Sequence, residues 1–179
     1  MELIVRVPGS CGEVMQGFWQ GRPFLVTCPI DRYSTVVVRP GTGRLVGGGA
    51  KARRALALGQ AYCRCDSLAH DFFLTSELPP GKGMASSSAD ICAVLAAVAA
   101  VNQVHLSEGD IGRLADACFY DVGEAGGHRN LARAEFPLSA VPEGVKPGEF
   151  VLRRIETRKL RRKATAPDAP LDPAERGAA

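Results

Sequence analysis

Between Pro79 and Ala89 the chain reads Pro79-Pro80-Gly81-Lys82-Gly83-Met84-Ala85-Ser86-Ser87-Ser88-Ala89, a segment whose residue types suit one kind of chemistry. The glycines let a backbone approach a ligand closely, Lys82 brings positive charge, and three serines stand where an apolar helix begins. The first amides of a helix point outward without partners, and the helix dipole adds partial positive charge there. Together these features make an anion site suited to phosphate. A hydroxyl of Ser86, Ser87 or Ser88 would also suit a Mg²⁺ carried by a nucleotide. The segment is not a Walker A loop, because Gly-x-x-x-x-Gly-Lys-Ser/Thr cannot be laid over it. A plain Gly/Ser connection with serine caps and no ligand is the competing reading. The full pattern Pro-x-x-x-Gly-Met-Ala-Ser-Ser-Ser-Ala ahead of a small-residue helix weighs against it.

A second group of residues lies near the N-terminus. It reads Val7-Pro8-Gly9-Ser10-Cys11-Gly12-Glu13-Val14-Met15-Gln16-Gly17, followed by Cys28-Pro29-Ile30-Asp31. The 79–89 loop resembles the second motif of the GHMP kinases (galactokinase, homoserine kinase, mevalonate kinase and phosphomevalonate kinase). The N-terminal group, with its later Cys-Pro-x-Asp, is similar to the L-threonine kinases of cobalamin biosynthesis, and Asp90 after the loop fits that branch. The resemblance covers roughly residues 3–118.

The resemblance implies an α+β fold, the GHMP kinase N-terminal domain, arranged like ribosomal protein S5 domain 2. It implies that the 79–89 loop holds the phosphates of ATP, with Ser87 as a Mg²⁺ ligand. Ser10, Gly12, Glu13, Gln16 and Asp31 would lie near the substrate. The implied reaction converts L-threonine and ATP to O-phospho-L-threonine and ADP, with homoserine or another alcohol as the alternative substrate. Positioning and charge neutralisation supply most of the catalysis in phosphoryl transfer. Taken without the resemblance, Glu13 reads as a surface charge in a turn, and Asp31 reads equally as a turn residue after Pro29.

The likeness stops near Cys118. Family members carry an acidic Glu-Pro-Thr-Asp segment after the helix corresponding to 107–118, whereas this chain continues Phe119-Tyr120-Asp121-Val122-Gly123-Glu124. The family's catalytic carboxylates are therefore not assigned to Asp121 or Glu124, and no catalytic residue is named. A third, glycine-rich motif of the family's C-terminal domain is not found. The expectation is an N-terminal ATP-binding domain at 3–118 without its C-terminal domain. Residues 119–179 would then be an unrelated, irregular or disordered tail, of the kind a shifted reading frame in a GC-rich gene produces. Such a domain exposes apolar surface that favours self-association. A non-catalytic kinase remnant or interaction fragment is the alternative to an active kinase.

The elements that must position these groups are legible in outline. Leu3, Val5 and Val7 alternate toward one face, and Pro8-Gly9 predicts a turn. Phe24–Cys28, ended by Pro29, and Tyr33–Arg39, closed by Pro40-Gly41, read as two further strands. Gly47-Gly48-Gly49 reads as a flexible connection, Ala50–Tyr62 as a helix and Asp71–Ser76 as a strand. The helix beginning near Ser86 continues to Val101, apolar nearly all round and so buried. Ser107 is read as the cap of a further helix, with Asp110 completing an acidic capping box and Ile111, Leu114, Ala115 and Cys118 on one face. Phe18 and Trp19 read as packing residues.

Composition sets the remaining bounds. The chain has 179 residues, 46% hydrophobic and 23% charged, as expected of a globular domain. The eleven-residue apolar run from Ile91 to Val101 is too short for a bilayer. The N-terminus shows no secretory pattern, so a cytoplasmic protein with no membrane partner is expected. Seven Lys or Arg between Val151 and Lys163 against Glu156 account for the net charge of +3 and leave the rest acidic. That distribution gives no nucleic-acid footprint. The six cysteines are scattered and contain only one close pair, Cys63-x-Cys65, which argues for free thiols over a zinc site.

Overall fold

Leu3, Val5 and Val7 do alternate inward, but the strand they begin does not stop at Pro8-Gly9. In the computed structural model, which describes residues 2–20, 22–122, 142–146, 149–150 and 152–153, β1 runs from Leu3 to Trp19 and β2 from Arg22 to Pro40. The two form one long antiparallel hairpin, with irregularities between Pro8 and Ser10 and between Cys11 and Met15. Gly9 therefore lies within a strand, opposite Ile30, Asp31 and Arg32, which bulge from β2. Bulges of this kind bend a strand and re-aim its side chains without ending the pairing.

Pro29 likewise fails to end its strand. Only residues 34–40 of β2 pair with β4 (His70–Ser76) on the side away from β1. The distal part of β2 is paired on one side alone, where a proline costs no ladder bond. Leu45–Val46 adds a short strand, β3, parallel to β4, which gives the sheet order β1-β2-β4-β3. A two-residue strand is too short to leave a periodic signal.

The helices that build the core are α1 (Ala50–Cys63), α2 (Ser86–Val101) and α3 (Glu108–Asp121). α2 packs against α1 and against β1, β2 and β4, while α3 packs against α1 and α2. Val36, Val38, Phe72 and Leu74 from the sheet meet Leu58, Ile91, Val94, Leu95 and Val98 in the core. The even apolar coating of α2 follows from this placement, with helices on two sides and the sheet on another. Fully burying side chains of this size contributes about 1.5–3 kcal/mol each.

Gly47 and Gly48 are fitted tightly and are not a flexible connection. A Cβ on Gly47 would lie 2.2 Å from the Leu74 carbonyl oxygen, and one on Gly48 would lie 2.6 Å from the Leu74 side chain. α1 ends at Arg64, whose left-handed backbone lets its N–H reach the carbonyls of Ala61 and Gln60. At α3, the Ser107 hydroxyl accepts from the Asp110 amide at 3.3 Å, as a cap should. The Asp110 carboxylate also reaches beyond its own cap. It accepts from the Tyr62 hydroxyl at 3.2 Å and from Arg113 at 3.0 Å, so it ties α3 to α1.

The helix also continues past Cys118. Phe119 is 2% exposed within the core, and Arg54 donates to Asp121 at 2.5 Å. In the region read as an irregular tail, Glu149–Phe150 and Leu152–Arg153 are helical, and Phe150 and Leu152 pack against the core. Most of the basic segment lies outside the described residues. Phe18 and Trp19 are 76% and 71% exposed, so they do not pack as expected. They sit at the far end of the β1–β2 hairpin, at the farthest remove from the part of β2 that β4 flanks. No helix among the described residues is long and apolar enough to cross a membrane.

Candidate phosphate-binding site

The 79–89 loop joins β4 to α2, and both of its ends are held. The Glu77 amide donates to the Tyr33 carbonyl at 2.9 Å, and the Glu77 carboxylate accepts from the Tyr33 amide at 3.0 Å. Leu78 is buried, and its amide donates to the Ser76 hydroxyl at 3.2 Å. Beyond Leu78 the chain emerges into solvent, and Pro79 to Gly83 are all exposed. Gly81 and Gly83 adopt φ of 71° and 72°, which L side chains rarely take. Among the described residues a Cβ at either would meet nothing within 4 Å, so these leave the space above them open.

Ala85 is the critical turn. It takes φ of 56° as the N-cap of α2, and no side chain caps the first turn. A non-glycine residue held in the left-handed region costs roughly 1–2 kcal/mol. Had Ala85 been serine or aspartate, its side chain would have competed for the amides of the first turn. Alanine leaves them open to a ligand, and the first turn carries no acid to repel an anion. Ser86 and Ser87 are half-buried, while Ser88 and Ala89 are buried. No hydrogen bond is formed by the Ser86 or Ser87 hydroxyls among the described residues.

At Gly9 and Ser10, opposite the β2 bulge, β1 closes on this loop from the side. The Ser10 amide donates to the Met84 carbonyl at 3.2 Å. At Gly9 the backbones come so close that a Cβ would lie 2.7 Å from the Met84 oxygen and 2.3 Å from Leu78 Cδ2. The two sequence motifs therefore meet through Gly9 and Ser10. Asp31 stands on β2 in the irregular stretch opposite Gly9; it is exposed and belongs to a strand, so its turn reading is withdrawn. Gly12, Glu13 and Gln16 lie on β1 in or beside the irregularity between Cys11 and Met15. The side chains of Glu13 and Gln16 are outside the described residues. The turn reading of Glu13 gives way to a strand position.

Beneath the loop lies a polar network that the sequence reading did not single out. The buried Ser34 hydroxyl donates to Asp90 Oδ1 and also meets the Ser76 hydroxyl at 3.0 Å. It ties the second turn of α2 to β2 and β4. The signal was present in the sequence, since Ser34 shares its inward face with Val36 and Val38. A polar residue in that stripe must find a partner. Lys82 stands exposed at the loop tip.

Other charged groups serve the frame. Arg44, reinforced by the amides of Thr42 and Arg44, holds the Asp71 carboxyl well below the ordinary carboxylate range. Asp121 is committed to Arg54, and Glu124 lies outside the described residues.

Residues 50–136 match the family described as the GHMP kinases N terminal domain. The L-threonine kinase of Salmonella typhimurium (strain LT2) is 40% identical over 99 residues, covering 54% of this chain and 33% of that protein. The L-threonine kinase of Citrobacter freundii is 37% identical over 98 residues, again 54% of this chain and 34% of that protein. The chain thus spans about a third of the length of these relatives. Among solved structures, a D-glycero-D-manno-heptose 1-phosphate kinase from Bacteriodes thetaiotaomicron superposes with a TM-score of 0.58 at 14% identity, covering 75% of this chain and 52% of that one. The mevalonate kinase of Methanococcus jannaschii gives a TM-score of 0.55 at 13% identity, covering 69% of this chain and 47% of that one. At such identities the likeness is one of fold. Over residues 50–136 the chain is similar to the GHMP kinase N-terminal domain.

Proposed function

We propose that this chain supplies the nucleotide-binding part of an ATP-dependent small-molecule kinase whose acceptor is the hydroxyl of L-threonine. The observation that carries the reading is the uncapped start of α2, where Ala85 turns the chain and leaves the first amides facing an open, glycine-bordered space. A phosphate fits that donor set. The half-buried, unengaged Ser86 and Ser87 hydroxyls fit a hard cation, and Ser87 is the residue that would hold Mg²⁺. ATP with Mg²⁺ would supply the transferable phosphoryl group and neutralise its charge. The chain's own part is positional. Gly81, Gly83 and the α2 amides would cradle the phosphates, Lys82 would add positive charge, and the Ser34–Asp90 bond would keep the helix start from drifting.

Threonine as acceptor is supported by the two relatives named as L-threonine kinases. On this reading Ser10, Gly12, Glu13, Gln16 and Asp31 form the substrate side, across Gly9 from the phosphate loop. Residues 3–118 with the end of α3 act as the ATP-binding domain, and the cytoplasm is the compartment where ATP and a free amino acid meet. A second reading, nucleotide binding without transfer, is favoured by one observation. Asp90 and Asp121 are both engaged in structural bonds, which takes two described acids out of contention for activating a hydroxyl.

The test is ADP release by the purified chain with Mg-ATP, with and without L-threonine, beside Ser87→Ala, with homoserine as competitor. Threonine-dependent turnover that is lost in Ser87→Ala supports the kinase reading. Nucleotide binding without turnover selects the second. A folded protein that does not bind Mg-ATP overturns both.

A further inference from the structure

Cys11 and Cys28 face each other directly across the β1–β2 ladder. Directly opposed residues of an antiparallel pair share a face, with Cα atoms about 4.5 Å or about 5.5 Å apart depending on the type of pair. Both spacings fall inside the roughly 4.4–6.8 Å window in which a disulfide closes without moving the backbone. Both thiols are free and exposed. The other four cysteines differ: Cys63, Cys65 and Cys92 are partly covered, and Cys118 is buried. Burial pushes the thiols of Cys92 and Cys118 up to about 11 and about 12, so neither offers a thiolate at neutral pH.

The position of the pair gives it a consequence. The ladder at Ser10–Pro29 and Cys11–Cys28 is only two pairs long, with irregularities on both sides. Ser10, next to Cys11, holds the Met84 carbonyl of the phosphate loop, and Gly9 lies against the same oxygen. A covalent clasp here would restrain the least regular part of the hairpin where it touches the loop.

We propose that Cys11 and Cys28 form a reversible thiol–disulfide site, oxidised by exchange with a low-molecular-weight disulfide, that clamps β1 to β2 beside the phosphate loop. One cysteine thiolate attacks a sulfur of the small disulfide, whose S–S bond breaks and releases one thiolate. The second cysteine thiolate then attacks the protein-side sulfur of the mixed disulfide and releases the other. The cysteine pair loses two electrons, the small disulfide gains them, and the two thiol protons pass to the released thiolates. The clasp stands on the strand register alone; its effect on nucleotide binding rests on the phosphate-loop reading.

The full chain is incubated with oxidised glutathione, alkylated without reduction and digested. The expected result is the loss of two alkylatable thiols and a peptide cross-linked through Cys11 and Cys28, restored by dithiothreitol and absent from Cys11→Ser and Cys28→Ser. Hydrogen exchange at the Ser10 amide slows in the cross-linked form. Stable glutathione adducts without the cross-link, or a cross-link to Cys63 or Cys65, overturn the pairing. A cross-link with unchanged Ser10 exchange overturns the clamp. Mg-ATP binding is measured on the reduced protein in parallel, so that loss of the nucleotide reading is recorded separately from loss of the cross-link.

Discussion

Gly9→Ala is the smallest change that should separate the two motifs. The backbone at Gly9 has no positive φ, so the cost of a methyl group there is steric. The new carbon would lie 2.7 Å from the Met84 carbonyl oxygen and 2.3 Å from Leu78 Cδ2. The leucine methyl can swing aside, but the carbonyl belongs to the backbone of the 79–89 loop. Ordinary C···O contact begins near about 3.3 Å, so strand and loop must part by roughly half an ångström. The Ser10–Met84 bond, already 3.2 Å, then stretches beyond useful length. Losing it costs about 1 kcal/mol, and overpacking adds about 1–3 kcal/mol. A total of about 2–4 kcal/mol is expected in urea melts, with Gly49→Ala, where no described atom lies within 4 Å, as the control. If about 1.4 kcal/mol of that strain must be undone to bind phosphates, Mg-ATP affinity falls about tenfold in calorimetry. A Gly9→Ala protein with the stability of Gly49→Ala and unchanged affinity would refute the docking of β1 on the loop.

Three further outcomes are expected. Ser34→Ala removes the donor to Asp90, a hydrogen bond to a charged group, and should cost about 1.5–3 kcal/mol in urea melts while weakening Mg-ATP binding; unchanged binding would show that the network supports only the fold. Burial pushes the Asp116 carboxyl from 3.8 up to about 7, and its Oδ2 has no partner among the described residues. The folded protein therefore keeps a proton that the unfolded chain releases, so this group's stabilisation is full below about pH 4 and is lost as pH rises to about 7. At about 1.4 kcal/mol per pH unit the loss approaches about 4 kcal/mol, and Asp116→Asn should flatten that slope in urea midpoints taken from pH 4 to 8. Phe18 and Trp19 stand exposed at the end of the hairpin, so Phe18→Ser with Trp19→Ser should lower self-association in sedimentation without altering the melt; identical sedimentation would place any association elsewhere.

Local pattern determined much of this molecule. The alternation of Leu3, Val5 and Val7, the composition of 50–62 and the apolar run into Val101 each name an element, because strand and helix periods are properties of the chain itself. The 79–89 loop at the start of α2 was legible for the same reason. Its glycines, its serines and the start of its helix are contiguous, and helix-end chemistry is local. What tertiary structure decided was where strands stop and what the motifs touch. Pro8-Gly9 and Pro29 look like breaks, yet β1 and β2 run through them, because a proline or bulge is harmless where only one side of a strand is paired. Gly47-Gly48 looks flexible and is fixed by the approach of Leu74. Ser34, Asp90, Gly9 and the Cys11–Cys28 pair gain their roles only from partners that other elements bring within reach. A one-dimensional pattern records which residues can form an element; it does not record which backbone will come within 3 Å of which.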